Sequence, residues 1–307
     1  MTPVSIIGNI NVDIVARPVA DLPAPGTERA VDSIEFRVGG AGAIAALCLA
    51  SLGIRADLIG CVGSDPLGRV LLDELAQEGV PVDGVAVGGT TGICVATEAA
   101  GRDRSFLIAP GCVAEFALSQ IPDRALCARQ VIVCGYFLIP ALRGGGAAQL
   151  LKEVRARGGE TLLDTGWDPD GWPPAAKDEV LDLLQWVSVF APNESEALAI
   201  TGAASVDRAA RVLQERSGGW CIVKLGARGV LAAGPDQAEF TIDAPQVSVI
   251  DTTGAGDAFN AGIVRSRMEG RPWQEAAGFA TLLASSVVSR PSHDRYPRLA
   301  ELAITGK

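Results

Sequence analysis

Short apolar runs alternate with segments of helical periodicity along most of the chain. Residues 4–8, 57–62, 131–134, 160–163, 186–191, 220–225 and 229–233 read as strands. Residues 41–52, 66–78, 141–157, 194–200, 206–216, 258–268 and 273–288 read as helices, with the Gly144-Gly145-Gly146 run as a helix start. This alternation predicts an α/β fold in three layers, α/β/α, around a mainly parallel central sheet. Ligands of such sheets gather beyond the carboxyl ends of the strands. Two segments break the rhythm. In 13–38, residues 31–38 alternate loosely; in 90–110, residues 93–97 and 104–108 flank a turn containing Gly101. Neither suits a parallel layer, so both are assigned to a small β-sheet lid inserted into a single domain spanning 1–307. Lids exclude water from reactive groups; surface decoration is the plainer alternative.

Composition narrows the class. A chain of 307 residues, 48% hydrophobic, can bury one large α/β core. No run approaches the roughly 18–20 apolar residues that span a bilayer. Met1-Thr2-Pro3-Val4 carries no charged leader segment, and a cytoplasmic location is the expectation. The seven cysteines are odd in number, scattered and without a C-x-x-C pair, which suits small core residues in a reducing compartment. A single histidine, His293, excludes a multi-histidine metal site and argues against a Ser-His-Asp triad. A formal charge of −10 argues against binding nucleic acid or an anionic membrane, while leaving room for a phosphate held by local amides.

The densest chemical signal is Asp251-Thr252-Thr253-Gly254-Ala255-Gly256-Asp257, which follows an apolar run at 247–250 and opens a helix. Small residues at a strand-to-helix junction leave backbone N–H groups open to an anion, and the helix dipole favours negative charge there. Asp257 beside such a cradle suits a general base that takes a hydroxyl proton while the amides hold a phosphoryl group. Plain turn chemistry is the alternative reading of Gly-Ala-Gly, and Phe259 stands where a dinucleotide fingerprint would need its third glycine.

Other clusters fall at strand ends. Asn9, Asn11 and Asp13 close the first strand, as crevice ligands or as turn caps. Gly39, Gly40 and Gly42 precede a helix of small residues, for ligand approach or for tight packing. Asn193 and Glu196 suit a helix capping box, or a carboxylate holding Mg²⁺ through water. Lys224-Leu225-Gly226-Ala227-Arg228-Gly229 is a turn that either wraps a nucleotide or joins two strands.

Taken in order, these clusters resemble the ribokinase-like (PfkB) family of carbohydrate and nucleoside kinases. The D-T-T-G-A-G-D signature is the most specific element, and the N-terminal glycine cluster, N-x-x-E and L-G-x-x-G support it. No Walker A or protein-kinase motif set is present. The resemblance implies an ATP- and Mg²⁺-dependent kinase acting on a sugar or nucleoside hydroxyl, with the ribokinase-like version of the fold. It implies Asp257 as base, with Gly254, Ala255 and Gly256 as anion hole. It places Asn11, Asp13, Gly39, Gly40 and Gly42 at the acceptor, Asn193, Lys224, Gly226 and Gly229 at the nucleotide, and Glu196 at Mg²⁺ through water. Asp251 and Thr253 match a monovalent-cation site of some members, but Ser292 replaces a glycine common in cation-activated ones, putting K⁺ in doubt. Ala41, Ile44 and Leu138 replace polar partners of ribose, which disfavours ribose itself. Tyr136 and Phe137 either stack on a flatter acceptor or fill the core, and a homodimer through the lid is a further expectation from relatives. A nucleoside kinase and a silent sugar sensor are the alternatives.

Overall fold

The computed structural model describes residues 3–19, 21, 23–97 and 105–302. In chain order the elements are β1 Val4–Gly8, β2 Asn11–Arg17, β3 Ser33–Gly39, α1 Ala41–Ser51, β4 Ala56–Val62, α2 Pro66–Gln77, β5 Val85–Val87, β6 Gly92–Thr97, β7 Ser105–Ala109, α3 Asp123–Leu126, β8 Gln130–Cys134 and α4 Gly145–Ala156. The second half supplies β9 Glu160–Asp164, α5 Pro174–Leu183, β10 Val189–Phe190, α6 Glu194–Thr201, α7 Val206–Ser217, β11 Trp220–Lys224, β12 Val230–Ala233, β13 Glu239–Ile242, α8 Ala255–Met268, α9 Trp273–Val288 and α10 Leu299–Leu302.

The large sheet has the order β13-β12-β11-β10-β9-β8-β1-β4-β5 and is parallel except for its β12–β13 end. Side chains alternate between its faces, as the two-residue period of a strand requires. Ile6, Leu58, Ile132, Leu162 and Ile222 enter one core with α1, α8 and α9. Ile7, Ile59, Val131, Leu163 and Val223 enter the other with α4, α5 and α7. Burial on both faces explains why these strands read as unbroken apolar runs.

The segments that broke the sequence rhythm form a separate sheet of order β3-β2-β6-β7. The turn expected at Gly101, with Arg104, lies outside the described residues. Asn11 and Asp13 are not at the end of β1 as expected: β1 stops at Gly8, and the chain crosses through Asn9 into β2 of the small sheet.

Other expectations are corrected. The strand at 186–191 shrinks to Val189–Phe190, because a 3₁₀ turn over Leu184–Trp186 extends α5. The helix expected from 141 begins at Gly145, after a 3₁₀ turn at Pro140–Leu142 and a left-handed Gly144. Helix α5 and strands β5 and β13 had no clear sequence signal. The apolar run at 247–250 is not a strand. Val247, Val249 and Ile250 are exposed, and the N–H groups of Ile250 and Asp251 both donate to the Val288 carbonyl at the end of α9. The signature therefore enters α8 from a coil strapped to a helix end. Helix α8 begins at Ala255 rather than 258, which puts Asp257 in its first turn.

Candidate active site

Gly254 is the N-cap residue of α8, with φ 75° and no side-chain cap. A side chain at this left-handed position would be strained and would meet the Ile44 Cγ2 atom of α1 at 2.9 Å. In the first turn of α8 the Gly256 and Asp257 amides have no intrahelical acceptor, while the Ala255 amide donates at 3.3 Å to the Thr252 carbonyl; a helix start with open amides is the local chemistry of an anion site.

Beneath this turn lies a charged cluster from different elements. Lys224, at the end of β11, donates through Nζ to Asp164 Oδ2 at 2.6 Å. Asp164, at the end of β9, also accepts from Asn260 Nδ2 of α8 at 2.6 Å and from the Gly166 amide at 3.1 Å. Burial opposes the charge of Asp164, but Lys224 and the hydrogen bonds outweigh it and hold the carboxyl below its usual range. Burial likewise opposes the Lys224 ammonium, and Asp164 and Glu196 restore and raise its pKa. Lys224 thus sits under the turn, with Nζ 3.2 Å from where a Cβ on Gly256 would lie.

Asp257 lacks such a partner. Loss of water raises its pKa, the Asp164 charge adds to the rise, Lys224 offsets part of it, and the result is about 8. Burial, chiefly, and then Asp164 raise Glu196 to about 7.

Asn193 and Glu196 form a complete capping box at the start of α6. Asn193 Oδ1 accepts from the Glu196 amide at 2.9 Å, while Glu196 accepts from the Asn193 amide at 2.8 Å and from Asn193 Nδ2 at 2.7 Å. No group of three or more His, Cys, Asp or Glu side chains among the described residues converges to hold a metal directly. Each Glu196 oxygen retains a lone pair after its single bond from Asn193. These donors would suit a Mg²⁺ ion held by phosphates and waters, with water between it and Glu196.

Beside the turn opens a cavity of about 310 Å³. Lys224, Gly226 and Gly229 line it with Val247, Val249, Ala255, Gly256 and Val288. Its walls are mostly apolar, as a flat aromatic ligand requires. The misread 247–250 segment is one of those walls.

On the other side, three polar residues form a chain. Asn9 Nδ2 donates to Asn11 Oδ1 at 2.9 Å, and Asn11 Nδ2 donates to Asp13 Oδ1 at 2.8 Å. Burial raises the Asp13 pKa against the pull of Arg37 and Asn11. Gly39 makes room for this carboxylate: a Cβ there would fall 2.1 Å from Asp13 Oδ1. Gly40 and Gly42 answer to packing, since their Cβ atoms would meet the Asn9 carbonyl oxygen at 2.4 Å and the Gly8 backbone at 2.9 Å. A small gap beside Asn9 and Asn11 is walled by Ile108, Val113 and Leu138. Tyr136 and Phe137 take the core alternative: both are buried, Tyr136 donates to Glu179, and Phe137 packs on Trp172.

Asp251 and Thr253 are held by two arginines. Asp251 Oδ2 accepts from Arg37 Nη1 at 2.6 Å and from Arg295 Nη1 at 3.0 Å. Arg37 Nη2 donates to Thr253 Oγ1 at 3.1 Å, and Arg295 Nη2 donates to the Asp251 carbonyl at 3.1 Å and to the Thr253 carbonyl. Burial disfavours the charge on Asp251, but the two guanidinium groups more than compensate and hold its carboxyl far below the usual range.

Sequence reasoning missed Asp164, Asn260, Arg37 and Arg295. Asp164 had a usable signal, since T-L-L-D puts a carboxylate at the end of an apolar run. Asn260 lies one helical turn beyond Gly256. The arginines had none, because their partners lie far away along the chain.

A parallel sheet with an anion turn, an apolar cavity and a polar chain at its strand ends is the arrangement of a small-molecule phosphotransferase. The chain belongs to the pfkB family of carbohydrate kinases, whose family model matches residues 1–296. It is 27% identical to the ribokinase of Haemophilus influenzae, over 93% of this chain and 92% of that one. It is 31% identical to the fructoselysine 6-kinase of Shigella flexneri, over 82% and 90% respectively. The structure of Arabidopsis thaliana ribokinase complexed with ribose and ATP superposes with a TM-score of 0.84 at 24% identity, covering 99% of this chain and 98% of that one. The chain is therefore a carbohydrate kinase of the ribokinase fold.

The raised pKa of Asp257 has a stability consequence. Folded protein keeps a proton that the unfolded chain has released, so the associated stability is full below the usual carboxylate range and is lost as pH rises through about 8. Asp257→Asn cannot ionise and should melt above the wild type at alkaline pH, with the gap closing towards acid. Equal melting temperatures across that range would contradict the raised pKa.

Proposed function

We propose that this kinase transfers the γ-phosphoryl group of ATP to a hydroxymethyl or similar hydroxyl of a sugar-like acceptor, with Asp257 as general base. The observation that carries the reading is the position of Asp257: in the first turn of α8, next to Gly256 on the cavity wall and within range of the Asp13 charge, with its pKa raised to about 8. A base poised near the working pH is the most effective. The acceptor oxygen attacks the γ-phosphorus, its proton passes to Asp257, and the bond to the β–γ bridging oxygen breaks to release ADP. The amides of Gly254, Ala255 and Gly256 hold the oxygens of the moving phosphoryl group. Glu196 would hold, through water, a Mg²⁺ ion bound with the nucleotide, and that ion would supply neutralisation of phosphate charge.

The cavity lined by Gly226, Gly229, Val247 and Val249 suits the adenine and ribose of ATP, because its walls are mostly apolar and it opens beside the turn at Ala255 and Gly256. Asn11 and Asp13 orient the acceptor hydroxyls. Ala41, Ile44 and Leu138 offer no side-chain hydrogen bonds, and each buried hydroxyl left unpaired costs about 1–3 kcal/mol, so an acceptor less hydroxylated than ribose on that side fits best. The nucleoside alternative relied on Tyr136 or Phe137 as a wall and loses that support, because both belong to the core.

The kcat/KM for an acceptor should rise with pH through about 8 and then level, because only ionised Asp257 can take the proton. Asp257→Asn should lower kcat by about 10²–10⁴-fold and leave nucleotide affinity nearly unchanged. A variant with near-normal turnover would remove Asp257 from the role of base.

The small sheet is proposed to close over the acceptor as a lid and to join two chains. Ile34 and Phe36 on β3 and Leu107 on β7 are exposed by 57%, 66% and 66%, more apolar surface than strands facing water usually show. Light scattering should report a dimer that Phe36→Lys with Leu107→Lys converts to monomer; a wild-type monomer would reject the pairing.

A further inference from the structure

The family resemblance raised a monovalent cation at Asp251 and Thr253, and the residues present do not fit one. The oxygens such an ion would use already accept guanidinium N–H groups. The Asp251 carboxylate accepts from Arg37 and Arg295, the Asp251 and Thr253 carbonyls accept from Arg295, and the Thr253 hydroxyl accepts from Arg37. Two fixed positive charges face one carboxylate, so a further cation would meet repulsion at oxygens that each already accept an N–H group.

We infer that Arg37 and Arg295 are positioning residues that supply from within the chain the charge a monovalent cation would bring, and that they fix the 251–254 turn whose end is the anion hole. The inference rests on the kinase reading for its catalytic meaning, although the occupancy of the site does not. The two arginines come from different elements. Arg295 follows a 3₁₀ turn at Ser292–Asp294 beyond α9 and is buried, with relative exposure of 5%. Arg37 belongs to β3 of the small sheet and stands opposite Asp13 across the β2–β3 ladder. One guanidinium therefore touches the anion turn while its charge acts on the acceptor carboxylate, so lid, acceptor side and phosphoryl side share a tether. Thr253, whose amide also donates to Asp251 Oδ1 at 2.7 Å, is pinned immediately before the left-handed Gly254. A planar guanidinium fixes several acceptors in one orientation, which a spherical ion does not.

The test begins with the unaltered protein. Crystals soaked in Rb⁺ should show no anomalous peak within contact distance of Asp251; a peak there would overturn the inference whether or not the protein is a kinase. Calorimetric titration with Mg²⁺ and a non-hydrolysable ATP analogue should give affinities in potassium and tetramethylammonium salts that agree within about twofold. A tenfold gain in potassium would also overturn it. Failure of the analogue to bind in either salt would instead remove the kinase reading and, with it, the catalytic role assigned to the arginines. Arg37→Ala should weaken the analogue by about tenfold, with methylguanidinium restoring most of the loss, which a merely structural defect would not permit. Unchanged affinity would remove Arg37 from the role, and should the variant fail to fold, the Rb⁺ result still decides.

Discussion

A single ammonium group among carboxylates is the constraint on which the site depends. Lys224 lies against Asp164, with Glu196 and Asp257 within range of the same charge. It can neutralise one of them fully, and Asp164 takes it at 2.6 Å. The others are left in a poorly solvated crevice beside an anion, and their pKa values rise to about 7 for Glu196 and about 8 for Asp257. An ion pair buried in this way contributes little to net stability, and its removal on one side only is costly. Its effect here is to set the protonation of neighbours, Asp257, the proposed base, among them.

The fold brings these groups together by the rule that strand ends face the crevice. Asp164 ends β9, Lys224 ends β11, and Glu196 follows β10 in the first turn of α6. Asp257 and Asn260 come from α8, which packs closely on α1 and α9. A second set of contacts aligns the two sheets: Asp13 and Arg37 face each other on β2 and β3, and Arg37 reaches across to Asp251. The Asn11–Asp13 side and the turn before α8 are thereby held together by side chains rather than by a continuous backbone element.

Much of this was legible because it is local. The parallel sheet followed from the alternation of apolar strand-like runs with helical segments, and the Gly254-Ala255-Gly256-Asp257 turn carries its chemistry within consecutive residues. Asn193 and Glu196 announced their capping box through spacing alone. The failures are equally physical. Val247, Val249 and Ile250 are β-branched and read as a strand, but among the described residues β13 pairs with no strand beyond β12; Val247 and Val249 wall a cavity instead, and the Ile250 amide is tied to the end of α9. Asn11 and Asp13 sit one strand later than the pattern implied, because nothing local marks where β1 ends and β2 begins. Tyr136 and Phe137 could not be divided between ligand and core without knowing what faces them. The Arg37 and Arg295 pairings with Asp251 span 214 and 44 residues, and no periodicity encodes a contact of that kind.

The most direct test of this account is a ¹³C NMR titration of the side-chain carboxyl carbons of the free protein, with the Asp257 resonance identified by its disappearance in Asp257→Asn. That resonance should show a midpoint near 8, with Asp164 remaining ionised below the ordinary carboxylate range. An Asp257 midpoint close to the usual value for an aspartate, about 4, would mean that the buried charges around Lys224 do not tune the base.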